Sequence, residues 1–311
     1  MRYATSLSAI LIASWLAVLS PISAQAASTV PADQLPEPVT GCPGGRGVAS
    51  PTATPWAQRV LSFSSVWGLT EGAGVTVAVI DSGVDANPQF GERVTVAPDL
   101  AGEVAGIPAG ADCVGHGTAV ASIIAAAPQA GVSFSGVAPQ AQILSIKITN
   151  SEKGIPGGVT AAAIRDAVDL GASVISLSLA AGNTPALQSA VQFAEASNVV
   201  LVAAAGNDVD GGKGPFYPAA YPGVLSIGAV GQDGSLASFS NTRTPVTVTA
   251  PGVDVASAYP GVYPDAYSLE DNGTSFATAF VSGVAALVRA SHPDLSAAQV
   301  VARIASTPES L

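Results

Sequence analysis

The sequence contains only two histidines, and one of them has the surroundings of a catalytic base. His116 stands in a Gly-His-Gly-Thr segment, Asp81 stands in an Asp-Ser-Gly segment before it, and Ser275 stands in a Gly-Thr-Ser segment after it. The order Asp, His, Ser is one of the chain orders in which nucleophilic triads occur. The sequence therefore predicts a serine-dependent hydrolase, with a protease as the first hypothesis.

Each of the three residue types has a distinct chemical task in such a triad. A serine hydroxyl is a weak nucleophile, so a base must accept its proton during attack on a carbonyl, and imidazole has a suitable pKa. His116 is the predicted base, and Asp81 is the carboxylate that would fix its tautomer and stabilise its charged form. The other histidine, His292, precedes Pro293 and is interpreted as a helix-boundary residue.

Composition indicates one large α/β domain. The 311 residues are 48% hydrophobic and include 33 glycines, which suits a compact fold with a large core. The formal net charge is -11, and the 11 basic residues are scattered singly. No basic stripe exists to neutralise phosphates, so we expect no nucleic-acid partner.

The first 26 residues have the pattern of a secretory signal peptide. Arg2 is followed by an apolar run over residues 9–19 and by the small-residue site Ala-Gln-Ala at 24–26. That run is too short to cross about 30 Å of hydrocarbon, and we expect no membrane span in the rest of the chain. The predicted localisation is secreted or associated with the cell envelope.

Residues 27–55 are rich in proline and glycine and are predicted to be an extension without its own core. We expect this extension to wrap around a domain that covers residues 56–311.

Cys42 lies in this extension, and Cys113 lies just before His116. Two cysteines in an exported chain are expected to form a disulfide. Two free thiols and a zinc site are the alternatives, although the sequence has no CxxC or HxxxH pair.

Apolar runs rich in β-branched residues alternate with helical segments along the chain. The predicted strands cover residues 75–80, 143–148, 174–179, 199–205 and 224–230, and the predicted helices cover residues 117–127, 158–170, 184–197 and 296–306. This alternation predicts a mainly parallel sheet with helices on both faces. Asp81 and Asn207 would then lie at the carboxyl ends of strands, where open parallel sheets place their sites.

Three segments together resemble the active-site signatures of subtilisin-like serine proteases. These are Val-Ile-Asp-Ser-Gly-Val-Asp at 79–85, Gly-His-Gly-Thr at 115–118 and Gly-Thr-Ser-Phe-Ala at 273–277, and the similarity extends from about Trp56 to the last helix. The resemblance implies a subtilisin-like α/β fold and endopeptidase activity on peptides or proteins. A different α/β hydrolase, such as an esterase, would instead require a G-x-S-x-G segment and the chain order Ser, Asp, His.

The resemblance also implies further site residues. Asn207 would donate its side-chain amide to the oxyanion, together with the backbone N–H of Ser275, although an Asn in a Gly-Asn-Asp turn is the alternative. Phe216 would lie near the floor of the pocket for the residue before the cleaved bond, or else pack in the core. The other implied substrate-binding residues are Ser178, Leu179, Ala180, Ala204, Ala205 and Gly206. The chain departs from the usual family pattern at Ala180, usually Gly, and at Ala279, usually Pro.

Within that family the chain is most similar to the mycosins of type VII secretion systems. The similarity rests on Pro-Trp-Ala-Gln-Arg at 55–59, on the segment 72–81, on the cysteine before the His motif and on the short leader. It implies type VII secretion machinery as a partner. A structural, weakly catalytic role in a secretion complex is the alternative. Mycosins usually continue into a C-terminal membrane helix, whereas this sequence stops at Leu311, so we expect either a truncated chain or a freely secreted member.

No cofactor or metal is predicted. Subtilases often bind structural calcium, and several aspartates could supply oxygen ligands, but they form no compact carboxylate loop. These residues are Asp85, Asp99, Asp208, Asp210 and Asp233. We interpret them as scattered surface acids.

Overall fold

A seven-stranded parallel sheet forms the centre of the fold. The computed structural model describes residues 47–102, 107–151, 155–207, 214–260 and 266–306. The strands are β1 Thr76–Asp81, β2 Val94–Val96, β3 Gln142–Lys147, β4 Val174–Leu177, β5 Val200–Ala204, β6 Leu225–Val230 and β7 Val248–Pro251. They lie in the order β2-β3-β1-β4-β5-β6-β7, and every neighbouring pair is parallel. Their side chains are mostly buried because helices cover both faces.

The helices divide into two layers. Helices α2 His116–Ala125, α5 Thr274–Ser291 and α6 Ala297–Ser306 pack on one face with α1 Trp56–Leu61, and α3 Gly157–Asp169 and α4 Pro185–Ala196 pack on the other. A short 3₁₀ turn, Phe63–Val66, follows α1. Each layer buries an apolar stripe against the sheet. The predicted fold class, a mainly parallel sheet with helices on both faces, is confirmed.

A small antiparallel pair lies beside the main sheet. It consists of β8 Val255–Ala258 and β9 Tyr267–Asp271. The β8 strand packs against α2, and β9 runs almost directly into α5. This pair therefore connects the helix that begins at His116 with the helix that carries Ser275.

The described part of the proline-rich extension contacts the domain. Val48 forms an antiparallel bridge with Tyr267, and the backbone carbonyl of Pro51 accepts a hydrogen bond of 3.1 Å from Ser133 N. Residues 1–26 and Cys42 lie outside the described residues. The signal peptide and the Cys42–Cys113 disulfide therefore stay predictions.

Helix α5 is the core helix of the domain. In the described part of the chain it is the one helix with the length and mean hydropathy, 1.2, of a membrane-spanning segment. The sequence alone did not lead us to expect such a stretch. The fold explains it, because 72% of the helix is buried against strands of the central sheet.

Candidate active site

Asp81 and His116 form a direct hydrogen-bonded pair. Asp81 is the last residue of β1 and is 5% exposed, and His116 is the first residue of α2. His116 Nδ1 lies 2.8 Å from Asp81 Oδ1 and 3.0 Å from Asp81 Oδ2. A carboxylate at Nδ1 favours the tautomer that carries the proton there and leaves Nε2 available as a base.

Ser275 lies in the first turn of α5 and opens into the same cleft as the Asp81–His116 pair. The cleft has a volume of about 510 Å³ and is lined by all three residues. The Ser275 hydroxyl donates a hydrogen bond of 3.0 Å to the backbone carbonyl of Ser178, and the Ser178 hydroxyl donates one of 2.9 Å to the carbonyl of Ser275. The structure thus brings the three predicted triad residues together. Hydrogen bonds between a nucleophile and its base often tighten only when substrate binds.

The side chain of Asn207 is oriented by the residue before Ser275. Asn207 Oδ1 accepts hydrogen bonds of 3.0 Å from both the backbone N–H and the hydroxyl of Thr274. Its amide NH₂ is therefore turned away from Thr274, and Asn207 lines the cleft. The left-handed backbone conformation in this turn belongs to Gly206, whose φ is 98°, and not to Asn207. This geometry matches an oxyanion donor better than a turn residue.

Six of the seven predicted substrate-binding residues line the cleft. These are Ser178, Leu179, Ala180, Ala204, Gly206 and Phe216. Ala205 does not line it, because its side chain is fully buried and its backbone groups are used inside the fold. The Ala205 N–H donates to the carbonyl of Ile227, and its carbonyl accepts from the Thr244 hydroxyl.

Phe216 packs its ring against the backbone of Gly206. A Cβ at Gly206 would lie 2.5 Å from the Phe216 ring, so only glycine allows this contact. The Phe216 N–H donates a hydrogen bond of 2.9 Å to the Thr244 hydroxyl, which fixes the segment that carries the ring. The ring is half-buried and lines the cleft, as expected for a pocket residue.

An acidic wall of the cleft was not identified from the sequence. Glu270 and Asp271, at the end of β9, line the cleft together with Asn272. Asp271 accepts hydrogen bonds from the hydroxyls of Ser257 and Ser268. Burial raises the pKa of the Asp271 carboxyl, and these two hydroxyls and the charge of His116 counteract that rise. In the sequence, the one sign that these two acids belong to the site is that they directly precede the Asn-Gly-Thr-Ser segment at 272–275.

Within the described residues, no group of three or more His, Cys, Asp or Glu side chains is arranged to hold a metal ion. Of the aspartates considered for calcium, Asp208 and Asp210 lie outside the described residues.

Sequence comparisons agree with the site. The sequence profile of the Subtilase family, Peptidase_S8, matches residues 72–310. Subtilisin DY from Bacillus licheniformis is 39% identical over 245 residues, which cover 78% of this chain and 86% of that protein. Mycosin-4 from Mycobacterium tuberculosis is 38% identical over 298 residues, which cover 81% of this chain and 63% of that protein.

Solved structures show the same relationship. The MycP3 protease from the type VII (ESX-3) secretion system superposes with a TM-score of 0.71 at 31% identity, over 91% of this chain and 93% of that chain. The predicted resemblance to subtilases, including the mycosins, is therefore confirmed.

Proposed function

We propose that Asp81, His116 and Ser275 are the catalytic triad of this chain, which belongs to the subtilase family and is a serine endopeptidase. The observation that carries this proposal is the contact of both Asp81 carboxylate oxygens with His116 Nδ1, in a cleft that also exposes Ser275. With Nδ1 held by Asp81, Nε2 is the ring nitrogen that is available as the base.

The reaction begins when the Ser275 hydroxyl attacks the carbonyl carbon of the scissile bond and His116 Nε2 accepts its proton. Asp81 stabilises the imidazolium that forms. The developing oxyanion is held by the Asn207 amide and by the Ser275 backbone N–H at the start of α5. His116 then donates its proton to the departing amine, and water hydrolyses the acyl-enzyme by the same steps in reverse order.

The cleft fits an extended peptide. Ser178, Leu179 and Ala180 follow directly after β4, and their backbone groups border the cleft beside Ser275. A peptide laid along this segment would be bound through its backbone as an added strand. Phe216 and Gly206 border the predicted pocket for the residue before the scissile bond.

The biological role we propose is that of an exported, mycosin-like protease that processes proteins of a type VII secretion system. Two observations support it, the 38% identity to Mycosin-4 and the 0.71 TM-score to the MycP3 protease of such a system. The predicted signal peptide would place the enzyme where secreted proteins pass.

Peptide cleavage by the purified exported form tests the enzymatic proposal. A peptide library and a panel of small esters are offered to the wild type and to Ser275→Ala. Cleavage of peptides that is lost in Ser275→Ala is expected. No turnover of either panel by the wild type would favour a structural role, and turnover of esters alone would favour an esterase.

The secretion role is tested in the host bacterium. The chromosomal gene is replaced by the wild type or by Ser275→Ala, and proteins exported by the type VII system are sized by mass spectrometry. We expect a longer, unprocessed protein with Ser275→Ala. Identical exported proteins in both strains would contradict the processing role.

A further inference from the structure

Asp112 is a buried carboxylate that accepts hydrogen bonds from five donors. It is 1% exposed and lies four residues before His116. Its Oδ1 accepts from the Ser82 hydroxyl at 2.8 Å and from the backbone N–H groups of Val114 at 3.2 Å and Gly115 at 2.7 Å. Its Oδ2 accepts from the N–H of Thr118 at 2.8 Å and from its hydroxyl at 2.7 Å. A buried carboxylate is costly unless it is satisfied in this way.

These bonds connect the end of β1, which carries Asp81, with the start of α2, which carries His116. The Ser82 hydroxyl, which donates to Asp112, also accepts a hydrogen bond of 3.0 Å from the N–H of Gly117. The backbone N–H of Ser82 donates to Asp81 Oδ1 at 2.7 Å. Asp112 therefore joins the end of β1, next to Asp81, to the turn and first residues of α2 on both sides of His116.

The turn held by Asp112 has little room to move. Gly115, with φ of 94°, lies so close to the ring of Tyr259 that a Cβ there would come within 2.4 Å of it. A Cβ at Gly117 would lie 2.0 Å from the carbonyl oxygen of Gly83. His116 thus lies between two close backbone contacts, and a small shift of the turn would move its ring relative to Asp81.

Asp112 is itself fixed from a second side. Its backbone N–H donates a hydrogen bond of 2.8 Å to Asp85 Oδ1, and the N–H of Asp85 donates one of 2.9 Å to the hydroxyl of Thr118. That hydroxyl in turn donates to Asp112. A closed ring of hydrogen bonds thus holds Asp112, Asp85 and Thr118 together.

We propose that Asp112 is a positioning residue of the active site, which sets the geometry of the Asp81–His116 pair. The inference rests on the proposed triad. Asp112 is not among the residues that line the cleft, so its loss affects the proton transfer and not the binding of peptide. Misplacement of a catalytic group by about 1 Å lowers rates by about 100-fold.

The test compares Asp112→Asn with a matched control, Asp99→Asn. The first variant keeps the shape of the side chain but replaces one acceptor oxygen by an NH₂ group. Asp99 is also a carboxylate that holds a loop, since it accepts hydrogen bonds from Ala101 N at 2.8 Å and from Gly110 N at 3.2 Å. Neither of these two bonds reaches Ser82 or the α2 turn. We measure kcat and KM for one peptide substrate, per mole of folded protein quantified by circular dichroism.

For Asp112→Asn we expect kcat to fall on the order of 10- to 100-fold while KM changes less than about twofold. For Asp99→Asn we expect both constants to stay within about twofold of the wild type. A purely structural role would lower the folded fraction but leave kcat per folded molecule unchanged, and that result would overturn the inference.

Ser82→Ala keeps the test decisive if Asp112→Asn does not fold. This variant leaves the Asp112 carboxylate in place and removes only its link to Gly117 and to the end of β1. A drop in kcat at constant KM supports the inference, and an unchanged kcat overturns it. A wild type that cleaves no peptide would overturn the proposed function and this inference together, whereas an active wild type with unaffected variants overturns the inference alone.

Discussion

Asn207 and Thr274 are joined by two hydrogen bonds that end on a single atom, Asn207 Oδ1. Because Thr274 directly precedes Ser275, the amide that would hold the oxyanion is attached to the same helix start as the nucleophile. The Thr274 hydroxyl also accepts a hydrogen bond of 3.2 Å from the N–H of Gly206. The two halves of the predicted oxyanion hole are therefore fixed relative to each other before substrate arrives.

Replacement of Asn207 by Ala should lower kcat by about 10² to 10³, the effect known for the corresponding donor in subtilisin, a member of this family. KM should change little, because the amide acts mainly on charge that develops in the transition state. Steady-state kinetics on a peptide substrate measures both constants. Asn207→Asp is the matched variant, since it keeps the Thr274 contacts but presents an oxygen to the oxyanion. A kcat within a few-fold of the wild type in both variants would remove Asn207 from this role.

Ser275→Ala and His116→Ala should each lower kcat by several orders of magnitude, because each removes an essential part of one catalytic unit. Folding should be retained, since Ser275 and His116 border an open cleft. Peptide hydrolysis and thermal unfolding are measured on the same samples. The double variant should be no slower than the slower single variant. Additive losses would show that the two residues do not act together.

The pH dependence of activity should respond to Asp271. In the proposed mechanism catalysis requires neutral His116, so kcat/KM of the wild type should reach half its maximum near pH 6 to 7. Because the His116 charge lowers the pKa of Asp271, an ionised Asp271 must equally favour the charged imidazole. Asp271→Asn should therefore move the half-maximum to lower pH.

A kcat/KM profile from pH 5 to 9 measures this shift. Asp294→Asn, in the exposed turn after α5, is the control and should leave the profile unchanged. The same half-maximal pH in Asp271→Asn and the wild type would show that the two side chains are not coupled.

Asp85 should make the fold less stable as pH rises. Burial, and the neighbouring charge of Asp112, raise the pKa of Asp85 to about 6, and the Asp112 N–H and Lys147 counteract this only in part. Because the pKa of Asp85 in the folded state lies above its ordinary value of 3.8, the folded state holds the proton more tightly than the unfolded state does. This contribution to stability is present at low pH and is lost as pH rises through about 6.

Asp85→Asn removes this loss, because an amide does not ionise and its oxygen still accepts from Asp112. Relative to the wild type, the free energy of unfolding of the variant should increase by about 1 to 2 kcal/mol between pH 4 and pH 7, after allowance for the partial exposure of the carboxyl. Urea denaturation at both pH values measures it. A difference that does not vary with pH would contradict the raised pKa.

Phe216 should restrict the residue before the scissile bond to small side chains such as Ala or Ser. Its ring lines the cleft against Gly206 and occupies space that a larger substrate side chain would need. Phe216→Gly should therefore admit larger residues at that position. Cleavage profiles of a peptide library by both proteins measure the preference, and an unchanged profile would remove the ring from the pocket.

The sequence predicted the elements that carry strong local patterns. The strand ending at Asp81 and the helix beginning at His116 are both found within two residues of their predicted positions, because long apolar runs with clear periodicity specify them. The short strands β2, β7, β8 and β9 were not predicted, since three to five residues are too few to carry such a pattern.

The residues proposed for the site were recognisable in the sequence, whereas the contacts that hold them in place were not. Motif residues such as Ser275 are recognisable because their types and order are specific to the chemistry. The Asp112 network joins residues up to 35 positions apart, and the Asn207–Thr274 pair spans 67. Contacts at such separations follow from the order of strands in the sheet, which one sequence does not reveal.

The Ser275 hydroxyl donates a hydrogen bond of 3.0 Å to the carbonyl of Ser178, and it has to give up this bond before it can donate to His116. The nucleophile's proton is directed at a carbonyl of the same wall along which a peptide is proposed to lie. A substrate that competes for this wall also frees the hydroxyl for His116, at a cost of about 1 kcal/mol for the broken hydrogen bond. In the proposed mechanism, a peptide that occupies this wall therefore also frees the Ser275 hydroxyl for proton transfer to His116.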